Sequence, residues 1–241
     1  MRIGLLCCLA AALLLLTSCQ DLMLQNLAND FGLAVNQDVL DEPTIVKGLK
    51  EALSIGTERA VKVVSQQNGY FGNQLIKVLM PEKMRNVADM LAQIGFQRQV
   101  DDFVLSMNRA AEKAAPTAVG FFVGAIKEMT FADARQILKG GDTAATEYFK
   151  AKTAAKIYNA FNPVVAKSLD DVGATRVYKN MMKTYKTIPF TNPPGFDLDQ
   201  YVTGKAVDGL FSTLGEEEKK IRANPAARTT ELLRRVFGSS R

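Results

Sequence analysis

Apolar residues recur every three or four positions along most of the chain, which is the period of an amphipathic α-helix. A stripe of this kind runs from Val202 to Ile221, and strand-like alternation is confined to the segment from Tyr70 to Met80. The clearest stripe comprises Val100, Phe103, Met107, Ala110, Ala111 and Ala114. The pattern predicts an all-α fold, a single multi-helix, bundle-like domain of roughly 8–10 helices.

Helix-capping residues divide this pattern into elements. Asp41, Thr130 and Asp197 are each predicted to begin a helix, and Gly95 is predicted to end one. Pro163 is predicted to break or kink a helix. The segment 118–126 has no polar side chain and predicts a buried core helix, because it is too short to span a bilayer.

The N-terminus has a different pattern. Arg2 precedes an apolar run from Ile3 to Leu16, which suits a cleaved secretory signal better than a membrane span of about 20 residues. The run ends in Thr17-Ser18-Cys19 and resembles the lipobox of bacterial lipoproteins, in which the cysteine is acylated. We predict a lipoprotein signal peptide over 1–18, a tether over 19–42 and a helical domain over 43–241. An ordinary secretory signal cut elsewhere is the alternative.

The predicted acylation defines a location. Gln20 follows Cys19, which by resemblance to enterobacterial sorting rules favours the outer membrane, although other lineages read Asp21 differently. We therefore expect a lipid-anchored protein of the bacterial cell envelope, with its domain in the periplasm and the membrane as a partner through the acyl chains. The tether could be a short helix or disordered.

Composition excludes several kinds of chemistry. The chain has no histidine, and its three cysteines, Cys7, Cys8 and Cys19, lie in or directly after the signal. Serine–histidine–aspartate catalysis, histidine-based zinc sites and haem ligation through histidine are therefore excluded, and no metal or cofactor is predicted.

The net charge of +5 suits a protein near anionic membranes and also many proteins without such a role. Nucleic acid is not expected, because the chain is exported and no concentrated basic stripe interleaved with aromatics was recognised.

Two short motifs have structural explanations. Gly140-Gly141-Asp142-Thr143 lacks the ending of a phosphate-binding loop and is interpreted as one helix end meeting the next helix start. Asp197-Leu198-Asp199 is not a calcium loop, because Tyr201 and Val202 follow where Asp or Asn and then Gly are needed. Three ion pairs are predicted on solvated helix faces: Glu216 with Lys220, Glu218 with Arg222, and Arg109 with Glu112.

Ten of the nineteen aromatic residues lie between Tyr148 and Phe211. Tyrosines have an apolar ring and a polar tip, so they can line a pocket or a partner surface; a tyrosine-rich core is the alternative. The candidate pocket or partner surface consists of Tyr148, Tyr158, Tyr178, Tyr185 and Tyr201.

Several segments together resemble one bacterial family. They are 48–53, 56–61, 106–112, 140–146, 196–203 and 225–230. The chain resembles the domain-of-unknown-function 4197 family over about residues 46–238. The resemblance implies an exported all-helical domain and carries over no activity, cofactor or catalytic residue.

These observations leave three functions open. The first is a non-enzymatic, membrane-tethered helical binding or scaffold module, whose partner is an envelope protein, a lipid or an apolar small molecule. The alternative is an envelope hydrolase or transferase that uses Asp, Glu, Lys, Tyr or Ser groups. The third is a purely structural envelope protein.

Overall fold

The computed structural model describes residues 41–171, 173–189, 195–228 and 230–238. The predicted signal peptide, Cys19 and the tether up to residue 40 lie outside these ranges. The regular structure of the described ranges is entirely helical, which confirms the all-α prediction. The α-helices are α1 Glu42–Ser65, α2 Glu82–Leu91, α3 Gln97–Ala114, α4 Val119–Glu128, α5 Phe131–Lys139, α6 Ala144–Asp171, α7 Ala174–Lys186, α8 Leu198–Ala223 and α9 Glu231–Gly238.

The predicted helix caps at Asp41, Thr130 and Asp197 are confirmed. They could be predicted because capping depends on residues only three positions apart. The Asp41 side chain accepts a hydrogen bond from the Thr44 amide at 3.2 Å. Thr130 and Asp133 form a reciprocal capping box at the start of α5. Asp197 caps α8 in the same way as Asp41 caps α1.

Some local predictions need correction. Of the two outcomes expected at Pro163, a break or a kink, the break does not occur, since α6 runs through it from Ala144 to Asp171. The helix over 118–126 is only half buried: Val119 and Val123 are exposed while Phe122 and Ala125 pack inward. The segment 70–80, where the strand-like alternation lies, is an irregular loop. Gly95, with φ 93°, separates α2 from α3 as predicted.

Four helices form the centre of the domain. Helix α8 packs on α1, α3 and α6, and α3 also packs on α6, while α2 and α7 lie against α3. The apolar stripes predicted for α3 and α8 are buried there. A small void of about 20 Å³ lies between α1, α6 and α8, which is room for about one water molecule. No helix in the described ranges has the length and apolarity needed to cross a membrane.

The three predicted surface ion pairs need correction. Glu216 pairs with Lys219 and Lys220 pairs with Glu217, so the predicted Glu216–Lys220 pair is wrong. The Glu218–Arg222 and Arg109–Glu112 pairs exist but are largely buried. Glu218 is 7 % exposed, and it accepts hydrogen bonds from the Ala145 and Thr146 amides at the start of α6 as well as from Arg222. Arg222 also donates to the Ile137 carbonyl in the last turn of α5. The pair therefore joins α5, α6 and α8, and the prediction of a solvated pair is wrong because both partners serve helix termini far away in sequence.

Candidate functional site

The five candidate tyrosines lie in different surroundings. The Tyr148 hydroxyl donates to the Ala125 carbonyl at 3.2 Å and so joins α6 to α4. Tyr185 is buried in the core, and Tyr158 is half-buried against it. Tyr178 stacks on Phe103 with ring centroids 5.9 Å apart. Burial raises the pKa of the Tyr178 hydroxyl above its ordinary value.

One chain of aromatic contacts leads from this core to the surface. Tyr178 contacts Phe196 at a centroid distance of 6.4 Å, and Phe196 contacts Tyr201 at 5.4 Å. Tyr201 and Phe196 line an open groove, and the Tyr201 hydroxyl donates to the Leu79 carbonyl at 3.1 Å. Burial raises the pKa of Tyr201. Of the five candidates, Tyr201 is the one that lines the groove.

This groove, which we call the loop groove, has a volume of about 730 Å³. One wall is the loop 66–81, and the other is formed by the start of α2 and the outer face of α8. Its lining residues are Gln74, Leu75, Ile76, Lys77, Leu79, Met80, Pro81, Glu82, Lys83, Arg85, Phe196, Tyr201, Lys205, Asp208, Gly209 and Ser212.

Two leucines of the loop wall are unusually open to solvent. Leu75 is 81 % exposed and Leu79 is 53 % exposed. Between them, Ile76 and Val78 are buried. The loop therefore divides its apolar side chains between the core and the groove.

Buried polar contacts hold this loop in place. The Asn108 side chain pairs with the Val78 backbone, accepting from its amide and donating to its carbonyl, both at 2.8 Å. Glu112 accepts from the amides of Tyr70 and Phe71 at 3.2 and 3.3 Å. Both acceptor side chains come from α3, so the loop wall is fixed to the core of the domain.

Two further residues complete the attachment. Arg109 bonds Glu112 at 2.6 Å and Asn68 at 2.8 Å, so the predicted Arg109–Glu112 pair exists, but Glu112 is only 5 % exposed. The Tyr70 hydroxyl donates to the Ala206 carbonyl of α8 at 2.6 Å. The sequence alone does not reveal these roles, although the segment 106–112 is one of those that resemble the family.

The groove carries more positive than negative groups. The cations are Lys77, Lys83, Arg85 and Lys205, and the carboxylates are Glu82 and Asp208. Glu82 lies 3.8 Å from Arg85, and the Lys77 ammonium lies 4.1 Å from the centre of the Phe71 ring. In the described part of the chain no three acidic side chains cluster closely enough to hold a metal ion. The groove is thus apolar at the two leucines and mainly cationic around them.

The fold and this groove define a class, an all-α domain with an open, cation-rimmed groove. The chain belongs to the family described as "protein of unknown function (DUF4197)", whose model matches residues 39–238. Comparisons with curated proteins and with solved structures gave no significant match.

Proposed function

We propose that this protein is a lipid-anchored helical binding module of the bacterial envelope and that the loop groove is its binding site. The observation that carries the proposal is the fixed exposure of Leu75 and Leu79. Exposed apolar side chains on a mobile loop can turn away from water, whereas these are held outward by a backbone that Asn108 and Glu112 bind. A ligand that covers them gains the free energy of apolar burial with little ordering cost.

The ligand that fits best is an extended segment of an envelope protein with apolar and acidic side chains. The groove is open to solvent, which suits an extended peptide better than a small molecule that must be enclosed. Its four cations, against two carboxylates, favour negative charge on the ligand. Acylation at Cys19 would keep the domain at the membrane where such partners are found.

The test begins with acylated protein cross-linked in envelope extracts, followed by synthesis of the captured segment as a peptide. The double variant Leu75→Gln, Leu79→Gln should weaken binding of that peptide at least tenfold, because each leucine loses about 1.5 kcal/mol or more of burial. Ile94→Gln is the matched control, since Ile94 is 54 % exposed but does not line the groove. Equal affinity for the double variant, or a bound lipid in native mass spectrometry with no captured protein, would refute the peptide assignment.

One observation favours the alternative, a hydrolase or transferase independent of histidine and cysteine. Glu82, Asp208, Lys205 and Ser212 all line the same groove. Two carboxylates in one cleft can serve as general acid and base. Purified protein would be incubated with envelope peptides and glycans and the products analysed by mass spectrometry. A product made by the natural chain and not by the Glu82→Gln, Asp208→Asn variant would support catalysis.

A further inference from the structure

Helix α7 presents a row of positive charges to solvent. Arg176, Lys179, Lys183 and Lys186 follow each other at spacings of three, four and three residues. At about 100° per residue these spacings place all four on one face, in a stripe roughly 15 Å long. All four are exposed, and Ala174–Lys186 contains no acidic residue. We call these four residues the α7 stripe.

In the part of the chain that the structure describes, the α7 stripe has no acidic counterpart, since none of its four cations forms an ion pair. Like charges three and four residues apart repel and destabilise the helix. By contrast, Lys113 near the end of α3 and Lys167 near the end of α6 both pair with Asp171.

The net charge of the protein is concentrated in this stripe. The whole chain carries 30 basic and 25 acidic residues, a net charge of +5. Residues 1–18 contribute Arg2 alone, so the chain from Cys19 onward carries 5 − 1 = +4. Helix α7 carries four positive charges and no negative one, so the remainder of the predicted mature chain sums to zero.

The aromatic residues of α7 lie away from the stripe. Tyr185 is buried, and Tyr178 is half-buried and stacks on Phe103. The α7 stripe thus concentrates basic residues without exposed aromatic rings between them, so it offers no exposed ring for a base to stack on. Single-stranded nucleic acid is bound by cations together with such rings, whereas a bilayer surface of anionic headgroups requires cations alone.

We propose that the α7 stripe docks the domain on the anionic headgroups of the membrane that holds its acyl anchor. The docking rests on the anchoring part of the proposed function. The 22 residues from Cys19 to Leu40, which make up most of the predicted tether, span at most about 75 Å, so the domain stays near the headgroups. Each cation at such a surface raises the equilibrium constant for docking about fivefold. The four cations of the stripe lie on one face and can act together.

The experiment uses the mature acylated protein with a donor dye on Asn180→Cys. Asn180 is exposed beside the stripe, and acylation of Cys19 leaves the new cysteine as the one free thiol. The protein is bound to vesicles of phosphatidylcholine, or of equal parts phosphatidylcholine and phosphatidylglycerol, with an acceptor on the headgroups. Energy transfer should be high on the anionic vesicles, low on the neutral ones, and should fall as salt approaches about 1 M.

Flotation with the vesicles is measured in parallel and reports the anchor separately. Failure to float would refute the anchoring on which the proposal rests. Flotation with equal energy transfer on both vesicles would overturn docking and leave anchoring intact. Cross-linking of α7 to an acidic envelope protein, without a rise in transfer on anionic vesicles, would assign the stripe to a protein partner and overturn the lipid assignment.

A matched pair of variants tests the position of the charges. The first replaces Arg176, Lys179, Lys183 and Lys186 by Gln and should shift the docking equilibrium several hundredfold toward the undocked state. The second replaces four exposed lysines elsewhere by Gln: Lys47, Lys62, Lys150 and Lys156. It removes the same charge and should dock normally. Equal losses in both variants would mean that overall charge acts and would overturn the proposal. Thermal unfolding confirms that both variants are folded.

Discussion

The Asn108 side chain binds the Val78 backbone as a second strand would, with one accepted and one donated hydrogen bond of 2.8 Å each. Asn108 also donates to the Val104 carbonyl within α3. Its buried amide thus satisfies the backbone of a loop that has no strand to pair with, which explains how an irregular segment forms a rigid wall of the groove.

Removing this amide should destabilise the domain. Asn108→Ala leaves the buried Val78 amide and carbonyl without partners, and we expect a loss of about 2–3 kcal/mol in the free energy of unfolding. Urea denaturation measures the loss, and hydrogen exchange at Val78 should accelerate. Asn159→Ala, on the exposed face of α6, is the control and should change stability by under about 0.5 kcal/mol. An unaltered exchange rate at Val78 would contradict the bracing role.

A second prediction concerns the Glu218 carboxylate, whose loss should destabilise the domain. Glu218→Gln removes the charge that binds Arg222 and weakens the bonds to the Ala145 and Thr146 amides. We expect a cost of about 2–4 kcal/mol, because the neutral amide cannot replace the charge that faces the half-buried Arg222 and is a weaker acceptor for the two buried amides. Glu216→Gln, two residues earlier, changes a half-exposed carboxylate and should cost no more than about 0.5 kcal/mol. Similar melting temperatures for the two variants would show that the buried pair has no special role.

Two glycines of α8 should respond to alanine in opposite directions. A Cβ at Gly209 would lie 2.6 Å from a Tyr70 ring carbon, so Gly209→Ala should cost about 1–3 kcal/mol. A Cβ at Gly204 meets no atom within 4 Å, so Gly204→Ala should stabilise the helix by about 0.5–1 kcal/mol. Chemical denaturation measures the free energy of unfolding of each variant and so checks both predictions. Equal effects would mean that Tyr70 does not pack against Gly209 as described.

The buried Tyr70 hydroxyl should make the stability of the folded protein depend on pH at high pH. Burial, and next the nearby Glu112 and Asp208, raise the pKa of its hydroxyl far above the ordinary value of 10.0. The unfolded chain therefore loses this proton first as pH rises above about 10, and the folded state is destabilised by up to about 1.4 kcal/mol per pH unit. Below pH 10 the contribution is fully present.

The Tyr70→Phe variant isolates this effect from other groups. It loses the hydrogen bond to the Ala206 carbonyl and should be about 1 kcal/mol less stable than the natural chain at neutral pH. Above pH 10 the free energies of unfolding of the two proteins should converge, because the variant has no proton to lose at this position. Parallel curves from pH 8 to 11 would contradict the assignment.

The helices were predictable where their signals are local. Asp41, Thr130 and Asp197 each bond an amide three residues ahead, so cap, helix start and apolar stripe can all be recognised in a short window. The same short-range signals gave the wrong environment for Glu112 and Glu218. Each has a basic residue three or four positions away, which predicts a surface pair, but their other partners lie 41 to 73 residues away in sequence.

The sequence by itself determined the all-α class, most helix boundaries, the exclusion of histidine and thiol chemistry in the domain, and the expectation of an acylated Cys19. It also contained the α7 stripe, whose exposure depends on which face of the helix packs against α3. Only the tertiary structure shows that Leu75 and Leu79 face solvent. It also shows that Asn108 binds the backbone of Val78, which lies between these two leucines. The reason is physical: helix formation is governed by neighbours within one turn, whereas burial and hydrogen bonding of a loop depend on side chains from distant parts of the chain.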